Sequence, residues 1–363
     1  MSNYPKLKKI SLASIAAVIA ALFLFVGPAF TASAYTPTNA TPAFASSPAT
    51  NPTPGNAVPS TINSKAAITV VTDLSSDDLQ VIQGTKFIGE IATTGVTIGA
   101  AFDSKNGLFY VGGYGCECVY VVNAAKMSIV KTISLTEPAA GVTYSAKSGY
   151  VYAETFSAPG YYAVINPTTN KVVKTIDACG YYPEFIDVNI KTGAVYAANR
   201  ETSSGYGCVD EIVGTKIVAT ASLSDDYGVG ISVNQKTGNV LVNGFDCECV
   251  YVFTSALKYD TTISLNSYVW GAWSNQKDAT NLVPAYYSGY TLASISATLK
   301  VKWLNTTASG DDGCSGGTGK YATDNYVPAY SGASGVVYLI SKSGKIIAEI
   351  QTEGSYVIGC ATS

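Results

Sequence analysis

Phe102-Asp103-Ser104-Lys105-Asn106-Gly107 ends an apolar run in a lysine-bearing turn and hands the chain to a Tyr/Val-rich run; the same phrase returns over 142–149, 186–193 and 231–238. Its closing glycines, Gly107, Gly149, Gly193 and Gly238, lie 42, 44 and 45 residues apart. A period of this length, made of short strands and turns, is the signature of β-propeller blades, which bury their apolar faces against one another. The clearest unit is Gly141 to Ala178, with period-2 strands over 141–145, 150–155, 161–166 and 172–177 and a Pro167-Thr168-Thr169-Asn170 turn. Comparable units cover 98–135, 183–223, 227–265, 268–306 and 312–352. The last two are degenerate, yet Val283-Pro284-Ala285-Tyr286 returns 44 residues later as Val327-Pro328-Ala329-Tyr330, which makes them successive blades.

Two fragments complete each other. Residues 67–93 supply three strands (68–72, 79–83 and 86–91) with no inner one, and 355–361 supply one inner strand with no blade behind it. Joined, they form a seventh blade and remove the two edges an open array would expose. The expectation is an all-β, seven-bladed β-propeller over residues 66–363, closed by N- and C-terminal strands, with six blades as the alternative.

Phe109-Tyr110-Val111-Gly112-Gly113-Tyr114-Gly115, Val119-Tyr120-Val121-Val122-Asn123 and Thr168-Thr169-Asn170-Lys171-Val172-Val173-Lys174-Thr175-Ile176 resemble the YVTN-type propeller repeat of archaeal surface-layer and bacterial secreted, YncE-like proteins. The resemblance spans residues 66–361. It implies the fold and an exported setting, and leaves the activity open, because propellers host many unrelated functions. Gly112-Gly113 stands where the family's Thr-Asn pair is expected, and the fifth and sixth units are weak matches.

The amino terminus points to export. Lys6, Lys8 and Lys9 precede an uncharged apolar run from Ile10 to Val26, and Ala32-Ser33-Ala34 fits the small-residue cleavage rule. Residues 1–34 are therefore predicted to be a signal peptide cut after Ala34. An uncleaved membrane anchor and a pilin-type cut near Ile10 are the alternatives, the latter making a filament subunit. Residues 35–65, with six prolines, six threonines and no acidic residue, read as a disordered, partly extended tether. Asn39 and Asn305 match the glycosylation acceptor pattern.

Charged residues make up only 13% of the chain, against about 25% in a typical soluble domain. Three of the 22 basic residues would leave with the leader, so the 25 acidic ones prevail, which disfavours anionic partners and nucleic acid. The eight cysteines behind an export signal point to disulfides. Gly115-Cys116-Glu117-Cys118 and Asp246-Cys247-Glu248-Cys249 fall on hairpins between the two middle strands, at the top face, in blades nearly opposite each other. One shared four-thiolate site is thus excluded in a monomer, and local Cys116–Cys118 and Cys247–Cys249 bridges compete with metal binding or bridges between subunits. Cys179 with Cys208 and Cys314 with Cys360 are the remaining expected pairs.

The chain contains no histidine, which removes Ser-His-Asp and Cys-His machinery and His-ligated metals. A carboxylate-dependent or lactonase-type enzyme would draw on Glu137, Glu184, Asp225, Asp226, Asp311 and Asp312, which also read as ordinary solvated loop acids. A binding site would use Tyr181, Tyr182, Glu184, Asp226, Tyr227, Tyr268 and Trp270 on the loops entering the inner strands, where aromatic faces beside polar groups suit glycans or proteins. The sequence therefore favours an extracellular, cell-surface-tethered binding or structural protein, active in adhesion, envelope or filament assembly, over a secreted enzyme. No cofactor or metal is implied. The expected partners are envelope proteins, glycans or further copies of the chain, with membrane contact only through an uncleaved N-terminal segment.

Overall fold

In a computed structural model of the chain, the structure describes residues 62–63 and 66–363, apart from 225, 286–291, 305, 307, 309–311, 318, 330–334 and 355. The predicted leader and, but for residues 62–63, the predicted tether lie outside the described residues, as do Asn39, Asn305, Asp225, Asp311, Tyr286, Tyr330 and Ser355. Among the described residues no helix is long and apolar enough to cross a membrane.

Seven four-stranded antiparallel sheets form the body. Blade one runs outward through Thr97–Asp103, Leu108–Gly113, Cys118–Asn123 and Ser128–Ser134. The inner strands of blades two to six are Ala139–Ser145, Tyr181–Val188, Gly228–Val233, Trp273–Asn275 and Cys314–Ser315. The last two have only three and two residues, the structural form of the degeneracy seen in the sequence. Blade seven joins the chain ends: Val357–Thr362 is its inner strand, followed by Ile68–Asp73, Asp78–Gln83 and Lys86–Ala92. Val70 faces Ala361 and Val71 faces Cys360 across this closure.

Alternation explains the packing. The two middle strands of each blade carry Val, Ile, Leu and Tyr on both faces, because both faces meet a neighbouring blade, and they are almost wholly buried. The outermost strands alternate; Lys216–Ser222 sets three half-buried residues between four exposed ones.

Tyrosine fastens blade to blade. Tyr152 Oη donates to the Gly214 carbonyl (2.8 Å), Tyr196 Oη to that of Ser255 (2.6 Å) and Tyr326 Oη to that of Gly84 (2.8 Å), while Tyr110 Oη donates to Asn170 Oδ1 (2.6 Å). Each ring leaves the second strand of one blade and reaches the outer hairpin turn of the next. Burial raises these phenols; that of Tyr326 is pushed up to about 12. Tyr196→Phe keeps the ring and strands the Ser255 carbonyl, so it is expected to cost about 1 kcal/mol. A urea midpoint equal to that of the parent would refute the latch.

Candidate functional site

The antiparallel order fixes two faces. Turns joining strands one to two and three to four lie at the bottom; hairpins joining strands two to three, and the links between blades, lie at the top. The inner strands enclose a central channel of about 370 Å³, lined near its upper end by Glu184, Phe185 and Asp312 and lower down by Asp187.

The top mouth carries an aromatic crescent. Tyr114, Phe156, Arg200 and Phe245 each directly follow the second strand's pairing with the bulged start of the inner strand, so blades one to four place them at equivalent sites. Tyr286 and Tyr330 hold the corresponding sequence position in blades five and six. Phe156 stacks at 5.8 Å from Tyr114 and 5.1 Å from Tyr182, the latter at the start of blade three. A second arc links Phe185 to Trp270 (6.4 Å), Trp270 to Phe245 (5.9 Å) and Phe245 to Tyr268 (5.3 Å). The Arg200 guanidinium sits 5.3 Å from the Trp270 ring centre, a cation–π geometry.

Local backbone sets these rings. Tyr182 has φ 50°, uncommon for a bulky side chain, and its N–H donates to the Ser157 carbonyl of blade two (2.9 Å). That bond draws its ring onto Phe156. The Tyr114 hydroxyl is raised by burial and then by the charges of Glu184 and Tyr182, which places all three groups in one neighbourhood.

The expected site residues divide. Tyr182, Glu184, Tyr268 and Trp270 join the crescent or the channel wall beneath it. Tyr181 is half-buried and paired with Glu201 across the strands of blade three, and Tyr227 is half-buried beside Asp226. Asp226 is buried, not a rim carboxylate. Its Oδ1 accepts from the Tyr227 and Asp246 amides (2.7 and 2.8 Å), and its Oδ2 from the Cys247 amide (3.1 Å). The acid thus anchors the Cys-Glu-Cys turn. Glu137 is exposed, and Asp312 Oδ1 accepts from the Gly313 amide (2.7 Å).

All eight cysteines are bonded in the expected pairs, with Cα separations of 5.2 Å (Cys116–Cys118), 6.3 Å (Cys179–Cys208), 5.1 Å (Cys247–Cys249) and 5.6 Å (Cys314–Cys360). Four disulfides fit an oxidising environment. Asp226 and the two sulfurs of Cys247 and Cys249 offer ligand atoms within 4.8 Å of one another. The sulfurs are bonded to each other, however, so the thiolates such a metal site needs are consumed.

Solved structures share this architecture. A chain of hydrazine synthase from Kuenenia stuttgartiensis superposes with TM-score 0.64 at 12% identity, over 76% of this chain and 92% of that one. A functionally unknown protein from Desulfotomaculum acetoxidans DSM 771 superposes with TM-score 0.67 at 11% identity, over 81% and 98%. The chain is a seven-bladed β-propeller. At such identities the likeness carries the fold alone. No family model and no curated protein matches the propeller's sequence.

One buried acid stands apart. Glu154, on the second strand of blade two, is fully buried, and neither carboxyl oxygen has a hydrogen-bond partner. Desolvation, then the charges of Glu184 and Asp210, raise it well above the ordinary range, which favours its protonated form. Full burial also keeps substrate from it, which removes it as a catalytic acid. Asp187 is raised to about 6 by desolvation, opposed by bonds from the Val233 and Val188 amides and the Ser274 hydroxyl.

The two faces differ in charge. The strand one-to-two turns carry Lys105, Lys147, Lys191, Lys236, Lys277 and Lys320. The strand three-to-four turns carry Lys86, Lys126, Lys171, Lys216, Lys258, Lys300, Lys342 and Lys345, two of them in blade six and one in each other blade. All are exposed and all lie at the bottom. The top loops and strand ends instead carry Asp77, Glu117, Glu137, Asp177, Glu201, Asp246, Glu248, Asp312 and Glu353, with Arg200 the one cation among the described residues there. Net charge conceals this sorting.

Proposed function

We propose that the propeller is an exported, surface-tethered binding protein that holds a glycan or protein partner over its top mouth. One observation carries this reading: Tyr114, Phe156, Tyr182, Phe245, Tyr268 and Trp270 belong to none of the seven hydrophobic clusters that hold the blades together. Six large rings kept at one rim without service to the core are costly unless something covers them. Their tilted arrangement offers apolar faces, while Glu184, Arg200 and the tyrosine hydroxyls supply polar edges. The resemblance to YVTN-type secreted and surface-layer repeats supports an extracellular setting, as do the leader-like N-terminus and the tether.

Binding is tested with a glycan array and with capture from intact cell envelopes, each read out by the amount of labelled propeller retained. Phe156→Ala and Trp270→Ala are each expected to weaken capture at least about tenfold while leaving the melting temperature near that of the parent. Blank results on both screens would end this reading.

A further inference from the structure

We propose that the bottom face docks the propeller flat against an anionic lipid bilayer. This goes beyond the top-mouth reading and rests on different residues. Two concentric sets of exposed lysines, one near the channel and one farther out, cover a single face, and every blade contributes to them. Among the described residues the fourteen lysines of these turns meet only four carboxylates there, Asp103, Asp260, Asp278 and Asp324.

Residue type selects the partner. Lysine is a mobile point charge, depleted from protein–protein interfaces, and it suits a diffuse anionic surface better than a shaped protein one. The acidic excess of the whole chain does not oppose this, because charges on the far face lie beyond a Debye length of about 8 Å. Two apolar side chains on the same face, Ile190 and Val213, are 46% and 48% exposed. Such groups gain from a headgroup boundary, and a soluble polyanion offers them nothing.

The path of the chain agrees. The Asn63 amide donates to Gln83 Oε1 (2.9 Å), and Gln83 Nε2 donates back to the Asn63 carbonyl (2.8 Å). Gln83 ends a strand at the bottom, so the segment preceding the first blade joins the body on the lysine side. Docked this way, the propeller turns its aromatic mouth outward.

The test is acetylation footprinting of the full-length protein on vesicles of phosphatidylcholine alone and of phosphatidylcholine with about 30% phosphatidylglycerol. Lys105, Lys147 and Lys191 are expected to become at least about threefold less reactive on the anionic vesicles only, and to recover in about 0.5 M salt. Lys131, Lys174 and Lys302, on the outer strands, stay reactive. Each lysine near such a surface multiplies partitioning about fivefold. Reversing Lys105, Lys147, Lys191 and Lys236 together to Glu should therefore lower the anionic-lipid component by at least about 100-fold. The same change at Lys131, Lys174 and Lys302 should leave it within about fivefold. Equal protection on both vesicles, meaning attachment through the apolar N-terminal run alone, would overturn the proposal. So would protection by soluble polyphosphate but not by vesicles, or protection without vesicles at high protein concentration, which would indicate another copy's acidic face.

Discussion

Deletion of residues 357–363 is expected to abolish cooperative folding. Those residues are the inner strand of blade seven, and Ile68–Asp73 would lose its whole inward partner. The Ser363 amide donates to the Ile68 carbonyl (2.9 Å), Ser363 Oγ accepts from the Ile68 amide (2.8 Å), and the Gly359 amide donates to Thr72 Oγ1 (3.0 Å). Val357, Cys360 and Ala361 would leave two hydrophobic clusters, and the inward edge of Ile68–Asp73 would open to water. Cys314 would lose its partner in the bridge that ties blade six to blade seven across 46 residues. A loop of that length is worth about 4 kcal/mol in the chain-entropy account, against about 5–15 kcal/mol for a whole domain. The truncated chain should lack a sharp melting transition and be cut rapidly by protease. A double Cys314→Ala, Cys360→Ala variant, which keeps the strand, should still melt cooperatively but lose about 2–5 kcal/mol. A wild-type melt from the truncated chain would show that six blades suffice.

The closure was legible in the sequence because it is an arithmetic property of the repeat: 67–93 lacked an inner strand and 355–361 lacked a blade. The disulfides were legible for the same reason, since register placed each cysteine. The structure moved strand ends by one or two residues, as at Ala139 and Lys171 of blade two, where bulges lengthen the pairing.

The site was only half legible. Tyr182, Glu184 and Trp270 could be found by looking at loops entering the inner strands, but Tyr114, Phe156, Arg200 and Phe245 lie on the other set of top hairpins. Their signal is positional, one residue past Gly113, Thr155, Asn199 and Gly244, and it needs the second-strand registers to be aligned first. Asp226 misled because an acid beside a tyrosine on a loop reads alike whether it faces solvent or ties down a turn. The lysine rings were in plain view, one within each repeat phrase. Total charge hid them, because only the alternation of turns between two faces separates lysines from acids.

Glu154 was missed as well, and it supports the prediction with the most distinctive sign. Its place in blade two corresponds to Thr72 in blade seven and Asn243 in blade four, each just before the end of the second strand. Thr72 Oγ1 donates to the Ile98 carbonyl on the inner strand of the next blade, and Asn243 Nδ2 to the Gly271 carbonyl just before the next blade's inner strand. The Glu184 carbonyl holds the matching place beside Glu154: a Cβ built on Gly141 would lie 2.9 Å from that oxygen and against Glu154 Oε2. A protonated carboxyl can donate there and a carboxylate cannot, so the fold needs the acid neutral. In the unfolded chain Glu154 titrates near 4.5, and in the folded one well above it. Below about pH 4.5 both states are protonated and the group's full contribution is present. As pH rises the unfolded chain releases the proton first, and stability falls by up to about 1.4 kcal/mol per pH unit until the folded carboxyl also titrates. Asp187, raised to about 6, adds a slope of the same sign that ends near that value. Glu154→Gln keeps a donor and cannot ionise. It should match the parent at about pH 4.5, gain on it by up to about 1.4 kcal/mol per pH unit as the pH rises, and remove the part of the decline that Glu154 adds to that of Asp187. Melting temperatures of the two proteins across this range decide the matter: parallel curves would mean that Glu154 is ionised in the folded protein and that its burial has a different cause.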